Sequence, residues 1–235
     1  MAERVALILP ALDEAESLAK VLPALAGAGL AQIIVVDNGS RDGTAEVARA
    51  HGAQVVAEPR RGYGQACLAG IAALAPEISV VAFMDADGSH DPSELAALIQ
   101  PIARGEADFV IGTRVARLRD AGAMTRQQLF GNWLATRLMR LLFGVRYSDL
   151  GPFRAIRREA LERIAMRDTN FGWTVEMQIK AHRAGLRVAE VPVHCRRRRL
   201  GRSKISGTLR GTLLAGIKII WTLVRYRMTL RREVK

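Results

Sequence analysis

The stretch VVAFMDADGSHDP, from Val80 to Pro92, predicts a buried strand that ends in two carboxylates. Its first five residues are all apolar, which is typical of a strand covered on both faces of a sheet. Asp85 and Asp87 follow, separated by one residue, and Gly, Ser and His come next. Side chains two residues apart in an extended segment point to the same side, roughly 6–7 Å apart. Both carboxylates are therefore expected to face one site beyond the end of the strand.

Similar apolar runs rich in Val and Ile recur along the first half of the chain, and stretches with helical spacing lie between them. The runs span residues 5–9, 33–36, 55–57, 80–84 and 109–111, and the helical stretches span residues 15–26, 45–51, 65–75 and 93–103. Strand and helix alternate strictly, and the strands are continuously apolar. This pattern predicts a doubly wound α/β fold, with a mostly parallel sheet flanked by helices on both faces.

Polar sequences follow all five predicted strands. In chain order they read PALDEAE, DNGSRDGT, EPRRGYG, DADGSHDP and GTR. Ligands of open α/β sheets bind beyond the carboxyl ends of the strands. We therefore expect these five loops to form one ligand site.

Two carboxylates held close together need a cation or hydrogen-bond donors between them. Oxygen ligands beside an open coordination position suit Mg²⁺ or Mn²⁺ that also carries the phosphates of a substrate. The sequence thus predicts that Asp85 and Asp87 contact a metal ion or a ribose, and a nucleotide diphosphate would complete the coordination of the metal.

The charge of the chain is divided along its length. The net charge is +12, yet residues 1–105 hold 7 Lys or Arg against 13 Asp or Glu, whereas residues 191–235 hold 13 against one. A basic C-terminal segment suits phosphates, an anionic membrane surface or nucleic acid. Trp133, Trp173 and Trp221 are not interleaved with the basic run as a single-strand-binding surface would favour, so nucleic acid is not an expected partner.

Length and composition predict one compact domain with a short appendage. The 235 residues are 49% hydrophobic and can fill a sizeable core. Cys67 and Cys195 lie far apart without metal-type spacing, which favours a reduced, cytoplasmic protein. The N-terminal sequence lacks the basic and apolar regions of a signal peptide.

Two apolar helices are predicted in the second half. Residues 128–143 place Phe130, Trp133, Leu134 and Leu141 on one stripe, which can pack in the core or contact a membrane. Residues 211–224 are apolar except for one lysine and have basic flanks. At 1.5 Å per residue they span only about 21 Å of a hydrocarbon layer roughly 30 Å thick. We expect this second helix to lie in a membrane interface.

An ordered set of motifs runs along nearly the whole chain: LPALDEAESL, IIVVDNGSRDGT, EPRRGYGQA, DADGSHDP, IGTR, SDLGPFRAIRREAL, EM followed by GLRVAEVPV, and RRLGRSK. Together they resemble the catalytic domain of glycosyltransferase family 2, and within it the polyprenyl-phosphate sugar synthases of the dolichol-phosphate mannosyltransferase kind. The resemblance implies a GT-A fold of the Rossmann-like type.

The resemblance also implies roles for individual residues. The residues implied to bind the nucleotide sugar are Pro10, Ala11, Leu12, Glu14, Asp37, Arg61, Gly62, Asp85, Asp87 and Arg114. The acceptor-binding residues implied are Arg154, Arg198, Ser203 and Lys204, and the catalytic ones are Asp87, Asp149 and Arg154.

The chemistry of the acceptor decides whether a base is needed. A lipid monophosphate is largely dianionic at pH 7 and needs none, because its second pKa is near 6. A sugar hydroxyl would need one, and Asp149 or Glu176 would then be the candidate. Two alternatives stay open at this point: a family 2 enzyme with a soluble or other hydroxyl acceptor, and a non-catalytic module that binds anions or membranes. A dehydrogenase is disfavoured because the first strand lacks Gly-x-Gly-x-x-Gly.

These observations give an expected organisation. Residues 1–206 form the catalytic domain, with a nucleotide-sugar half at 1–114 and an acceptor half at 115–206, and residues 207–235 form a basic amphipathic helix. The enzyme would move one sugar, with inversion, from a nucleotide-diphosphate sugar to a polyprenyl phosphate at the inner face of the cell membrane. A membrane protein partner or a homo-oligomer is left open.

Overall fold

The computed structural model describes residues 3–198 and 209–233, with side chains for residues 3–198 and 216–228. Within these residues the strands are β1 (Val5–Ala11), β2 (Gln32–Asp37), β3 (Gln54–Ala57), β4 (Val80–Phe83), β5 (Phe109–Thr113), β6 (Arg154–Arg157) and β7 (Val188–Pro192). The helices are α1 (Ala15–Ala24), α2 (Thr44–Ala50), α3 (Tyr63–Ala72), α4 (Leu95–Ala103), α5 (Arg126–Phe143), α6 (Arg158–Ile164), α7 (Trp173–Arg183) and α8 (Leu209–Glu233).

The strands form one sheet in the order β3-β2-β1-β4-β6-β5-β7. Every neighbouring pair is parallel except the two made by β6, which runs antiparallel to β4 and β5. The predicted mostly parallel α/β sheet is therefore confirmed. The antiparallel strand was not predicted because it holds only two apolar residues, Ala155 and Ile156, between arginines. It comes after residue 114 in the chain, so the two predicted halves share one sheet.

Both faces of the sheet are covered, as the continuous apolar strands predicted. Successive side chains of a strand point to opposite faces, and β1 divides accordingly. Leu7 and Leu9 join a core with buried residues of α1 and α4, while Ala6 and Ile8 join a second core with residues of α3, α6 and α7. This two-sided packing fixes the strand ends, and therefore the loops that follow them.

A third apolar cluster joins three helices beside the sheet. Ala135 and Met139 of α5 pack against Val175 and Ile179 of α7 and against Leu223 of α8. The helix α8 begins at Leu209, close to its expected start. Its contact through Leu223 shows that it packs on the domain along one side. In the described part of the chain, no helix is long and apolar enough to cross a bilayer.

The outer sides of α5 and α8 expose apolar residues. On α5, Phe130, Trp133 and Leu141 are 61%, 52% and 79% exposed. The core alternative is therefore wrong for these three side chains, because α5 turns Ala135 and Met139 inward instead. On α8 the exposed apolar residues are Ile217, Ile220, Trp221, Val224 and Met228.

Candidate active site

A cavity of ≈ 610 Å³ opens at the carboxyl ends of β1 and β4. The structure brings most of the residues implied by the sequence to its wall: Pro10, Ala11, Leu12, Glu14, Arg61, Gly62, Asp85, Asp87, Arg114 and Arg198. The expectation of one site beyond the strand ends agrees with this geometry. Ser203 and Lys204 lie outside the described residues.

Asp85 follows β4 and lines the cavity together with Tyr63. Its Oδ1 atom is shielded from solvent and has no hydrogen-bond partner among the described residues, and the same is true of the Tyr63 hydroxyl. Burial, and then the negative charge of Asp87, raise the pKa of Asp85 to about 7. A cation bound between the two carboxylates would remove both unfavourable effects.

Asp87 is held by the turn that follows it. Its Oδ1 atom accepts a hydrogen bond from the Ser89 backbone N–H at 3.0 Å, and its Oδ2 atom lies 3.5 Å from Nη1 of Arg198. The guanidinium of Arg198 also contacts the Glu14 carboxylate. Burial raises the pKa of Glu14, and Arg198 opposes that rise.

The two carboxylates fit a divalent cation that is shared with a substrate. No group of three or more His, Cys, Asp or Glu side chains suited to a metal occurs among the described residues. A dedicated protein cage is therefore not present in that part of the chain. Mg²⁺ commonly binds through one or two carboxylates together with substrate phosphates and water, and the Oδ1 atom of Asp85 would supply one such ligand.

The loops after β2 and β3 are locked together beside the cavity. Asn38 accepts a hydrogen bond from the Gly62 N–H at 2.9 Å and donates to the Glu58 and Arg60 carbonyls at 2.8 and 2.7 Å. Gly62 has φ +152°, and a Cβ there would lie 2.2 Å from the Thr169 carbonyl oxygen. A glycine is therefore needed at this close approach.

Asp37 does not line the cavity. It accepts a hydrogen bond from the Ser40 backbone N–H at 2.8 Å and so shapes the loop after β2. The next residue, Asn38, lines the cavity instead. Asn38 was partly predictable, since it stands in the same polar stretch after the second strand.

Asp149 is paired with Arg114 behind the cavity wall. Its Oδ2 atom accepts from the Arg114 backbone N–H and Nε, both at 2.8 Å, and its Oδ1 atom lies 2.6 Å from Arg114 Nη2. Burial alone would raise the pKa of Asp149, but the hydrogen bonds and charge of Arg114 hold it below its usual range. A carboxylate held in this way is a poor general base, and it positions Arg114, which does line the cavity.

Arg154 lies beneath the cavity rather than in it, contrary to its expected contact with the acceptor. Its guanidinium is fully buried and donates to the carbonyls of Gly151, Leu150 and Thr174 at 3.0, 3.2 and 3.3 Å. Burial lowers the pKa of Arg154 to about 10. The side chain therefore supports the backbone whose residues Leu150 and Thr174 line the cavity.

Glu176 is also placed differently from expectation. The candidate base is not accessible at a helix surface, because its side chain is completely buried. The carboxylate accepts from the Asp168 N–H at 2.5 Å and the Tyr226 hydroxyl at 2.6 Å, and it lies 2.7 Å from Lys180 Nζ. It lines a second cavity and not the first. It therefore cannot act as a base on an acceptor bound in the cavity that Asp85 lines.

The family of the chain follows from a comparison with family models. The model of "Glycosyl transferase family 2" matches residues 6–165, which is more than half of the chain. The chain belongs to glycosyltransferase family 2. The sequence resemblance to this family is thereby confirmed, and the chain is a glycosyltransferase by family.

Individual relatives agree with the family 2 assignment. An uncharacterised glycosyltransferase of Mycobacterium tuberculosis is 41% identical, over 94% of this chain and 98% of the relative. The undecaprenyl-phosphate mannosyltransferase of Micrococcus luteus is 31% identical, over 97% of this chain and 100% of the relative. Among solved structures, the glucosyl-3-phosphoglycerate synthase of Mycobacterium tuberculosis, in complex with Mn²⁺, UDP-glucose and phosphoglyceric acid, matches with a TM-score of 0.78 at 25% identity, covering 96% of this chain and 80% of that one. The predicted GT-A fold is confirmed.

Several cavity residues of this family 2 chain come from segments that sequence reasoning did not assign to the site. They are the α5 residues Gln127, Gln128, Gly131 and Asn132, the loop residues Asn170 and Phe171, the first residues of α7, and Gly216 and Ile219 of α8. The sequence did indicate Asn132, because this residue lies opposite the apolar stripe, on the polar side of α5. Its Oδ1 atom accepts from the Leu150 N–H at 2.9 Å.

Proposed function

We propose that this family 2 enzyme transfers one sugar from a nucleotide-diphosphate sugar to a polyprenyl phosphate at a membrane surface. The observation that carries the proposal is the pair Asp85 and Asp87, which faces a cavity lined by Arg61, Arg114 and Arg198. Acidic and cationic groups stand together there, as two anionic substrates and one divalent cation would require.

The nucleotide sugar is proposed to lie along the carboxyl end of the sheet. Pro10, Ala11 and Leu12 after β1 and Arg61 and Gly62 before α3 would surround the nucleoside. Asp85 and Asp87 would hold Mg²⁺ or Mn²⁺ against the diphosphate, and the bound ion would offset the charge that develops on that leaving group.

The carboxylates at the cavity favour a phosphate acceptor over a hydroxyl. Among the described residues, those that line the cavity are Glu14, Asp85 and Asp87. Glu14 is paired with Arg198, Asp85 and Asp87 are proposed metal ligands, and Asp149 is held by Arg114. A hydroxyl acceptor would lack an available base, whereas a phosphate monoester is already dianionic at neutral pH.

The proposed reaction is a direct displacement. An oxygen of the acceptor phosphate attacks the anomeric carbon, the bond from that carbon to the diphosphate breaks, and the nucleoside diphosphate leaves with the bonding electrons. Attack in line with the leaving group inverts the anomeric configuration. Arg114 and Arg198 would hold the two anions at the required distance, against their mutual repulsion.

The position of α5 supports access from a membrane. Gly131 and Asn132 line the cavity, while Phe130 and Trp133, on an adjacent surface of the same helix, are more than half exposed. An aromatic, basic helix surface of this kind suits the interface of a bilayer, where a polyprenyl chain would remain dissolved. We therefore propose a peripheral enzyme at the cytoplasmic face of the cell membrane.

The test is a transfer assay with the purified chain and its Asp87→Asn variant. Each would be incubated with Mg²⁺ or Mn²⁺, polyprenyl phosphate and a panel of UDP-, GDP- and dTDP-sugars, and glycolipid and released nucleotide would be measured. We expect a lipid-linked product that depends on metal and falls at least about 100-fold in the variant.

Two other outcomes would overturn the proposal. Transfer to phosphoglyceric acid or another soluble acceptor, without transfer to polyprenyl phosphate, would establish the hydroxyl alternative. Binding of nucleotide sugars without turnover of any donor would favour a binding module. Arg49→Ala, on the exposed side of α2, serves as a control for preparation and folding.

A further inference from the structure

A second cavity, of ≈ 400 Å³, lies between α7 and α8 and shares no lining residue with the first. Its charged lining residues are Arg167, Asp168, Glu176, Lys180, Arg183 and Arg225. Four of these six described side chains are cations, so the positive groups among them outnumber the negative ones. Such a cavity attracts anions.

The two carboxylates of this cavity are already engaged by the protein. Glu176 lies 2.7 Å from Lys180 Nζ and accepts hydrogen bonds from Tyr226 and from backbone N–H groups, and these contacts lower its pKa despite burial. Asp168 lies 3.3 Å from Lys218 Nζ and accepts from the Asn170 N–H at 2.8 Å. They act as structural links between α8 and the loop before α7.

The rim of the cavity is apolar and aromatic on the α8 side. Trp221 lines the cavity and is 49% exposed, and the guanidinium of Arg225 lies 5.2 Å from the centroid of its ring. Ile217, Ile220 and Val224 are exposed on the same helix. A half-exposed tryptophan beside arginines is typical of the level of lipid headgroups in a membrane.

We propose that this second cavity binds the phosphate of an anionic phospholipid headgroup. Arg167, Arg183 and Arg225 would contact the phosphate oxygens, because guanidinium groups match phosphate geometry with paired donors. Trp221 and the exposed apolar residues of α8 would enter the interface beside the headgroup. The site is separate from the cavity proposed for sugar transfer.

Its location couples it to the catalytic cavity. Arg167 and Asp168 face the second cavity, whereas Asn170 and Phe171, two residues further on, line the first. The same loop packs on α3, where Gln65 N–H donates to the Thr169 carbonyl at 2.9 Å. A headgroup bound at Arg167 would therefore steady one wall of the catalytic cavity.

The test is calorimetric titration of the full chain with short-chain phosphatidylglycerol below its micelle concentration. Phosphatidylcholine of the same chain length and inorganic phosphate are the comparison ligands. We expect saturable binding of phosphatidylglycerol that is at least about tenfold tighter than binding of either comparison ligand. Arg183→Ala/Arg225→Ala should weaken it about tenfold or more, as expected for lost charge-assisted hydrogen bonds.

The matched control is Arg49→Ala/Arg104→Ala, which removes the same charge from exposed positions elsewhere and should leave binding unchanged. Asp87→Asn should also retain it, so that failure of the transfer reaction and failure of this site are distinguishable. Equal binding by the Arg183/Arg225 variant and the control would overturn the site. Inorganic phosphate binding as tightly as phosphatidylglycerol would overturn the lipid assignment.

Discussion

Arg198 Nη1 lies 3.5 Å from Asp87 Oδ2, beside the position proposed for the metal ion. The same guanidinium contacts Glu14, so a single arginine is shared between two carboxylates of the cavity. The guanidinium of Arg198 is already paired with Asp87, whose negative charge a divalent ion would need. Arg198 would have to leave Asp87 when the metal binds, and it would then be available to an acceptor phosphate.

The first prediction concerns this competition. Arg198→Ala should raise the affinity of the free protein for Mn²⁺ by up to about fivefold, because a partly exposed ion pair is worth roughly 0.2–1 kcal/mol. The same variant should bind the proposed lipid acceptor more weakly. Electron paramagnetic resonance of free Mn²⁺ measures the first effect. The matched control is Arg196→Ala, because Arg196 pairs with Asp91. Unchanged Mn²⁺ affinity in Arg198→Ala would refute the competition.

The second prediction concerns Asp85. Mn²⁺ with the nucleoside diphosphate that fits best should raise the melting temperature by about 5–10 °C at a hundredfold excess over Kd. Asp85→Asn should lose this shift, since its unpartnered Oδ1 atom is a proposed ligand. Asp108→Asn is the control, because Asp108 pairs with Arg187 away from the cavity. A full shift in Asp85→Asn, measured by scanning calorimetry, would exclude Asp85 as a ligand.

The third prediction separates a structural role of Asp149 from a catalytic one. Asp149→Asn should destabilise the fold by about 3–5 kcal/mol, because it leaves the Arg114 charge without its buried partner. Arg114 holds the pKa of Asp149 below its ordinary value, so its stabilising effect is present above about pH 4 and is lost as the pH falls further. Urea unfolding at pH 7 and at pH 3 measures the free energy of unfolding of the wild type and of Asp149→Asn.

The stabilities of the wild type and Asp149→Asn should therefore differ more at pH 7 than at pH 3. If Asp149 were the base, the variant would instead keep its stability and lose turnover selectively. A variant that unfolds at the same urea concentration as the wild type at pH 7 would contradict the structural role.

The fourth prediction concerns the close contact between α3 and the loop before α7. A Cβ on Gly64 would lie 2.0 Å from the Asp168 carbonyl oxygen. Gly64→Ala should therefore cost about 1–3 kcal/mol or more, since backbone must move to accept it. Gly43→Ala is the control, because nothing lies within 4 Å of its Cβ position. Equal unfolding midpoints for the two variants would contradict this close approach.

The sequence predicted the sheet and most of the cavity because both depend on local patterns. The apolar run that ends at Met84 identifies a buried strand, and the polar residues after it must emerge at the strand end. The same logic placed Leu12, Glu14 and Arg61 at the cavity, where the structure has them. Strand β6 was not predicted because its buried arginine breaks the apolar pattern.

Contacts between distant segments were not predictable in the same way. Arg154 reads as a free cation in the sequence, yet the insertion of β6 between β4 and β5 buries it completely. Glu176 was a candidate base in the sequence, yet α8 covers it with Tyr226. Both outcomes depend on which element packs over the residue.

By itself, the sequence determined the α/β fold, the family and the two carboxylates that end β4. The tertiary structure decided that Asp149 holds Arg114, that Arg154 supports the cavity from below, and that Glu176 belongs to a second cavity. The physical reason is that periodicity reports which side of an element is buried. The partner that covers that side is set by contacts between residues far apart in the chain.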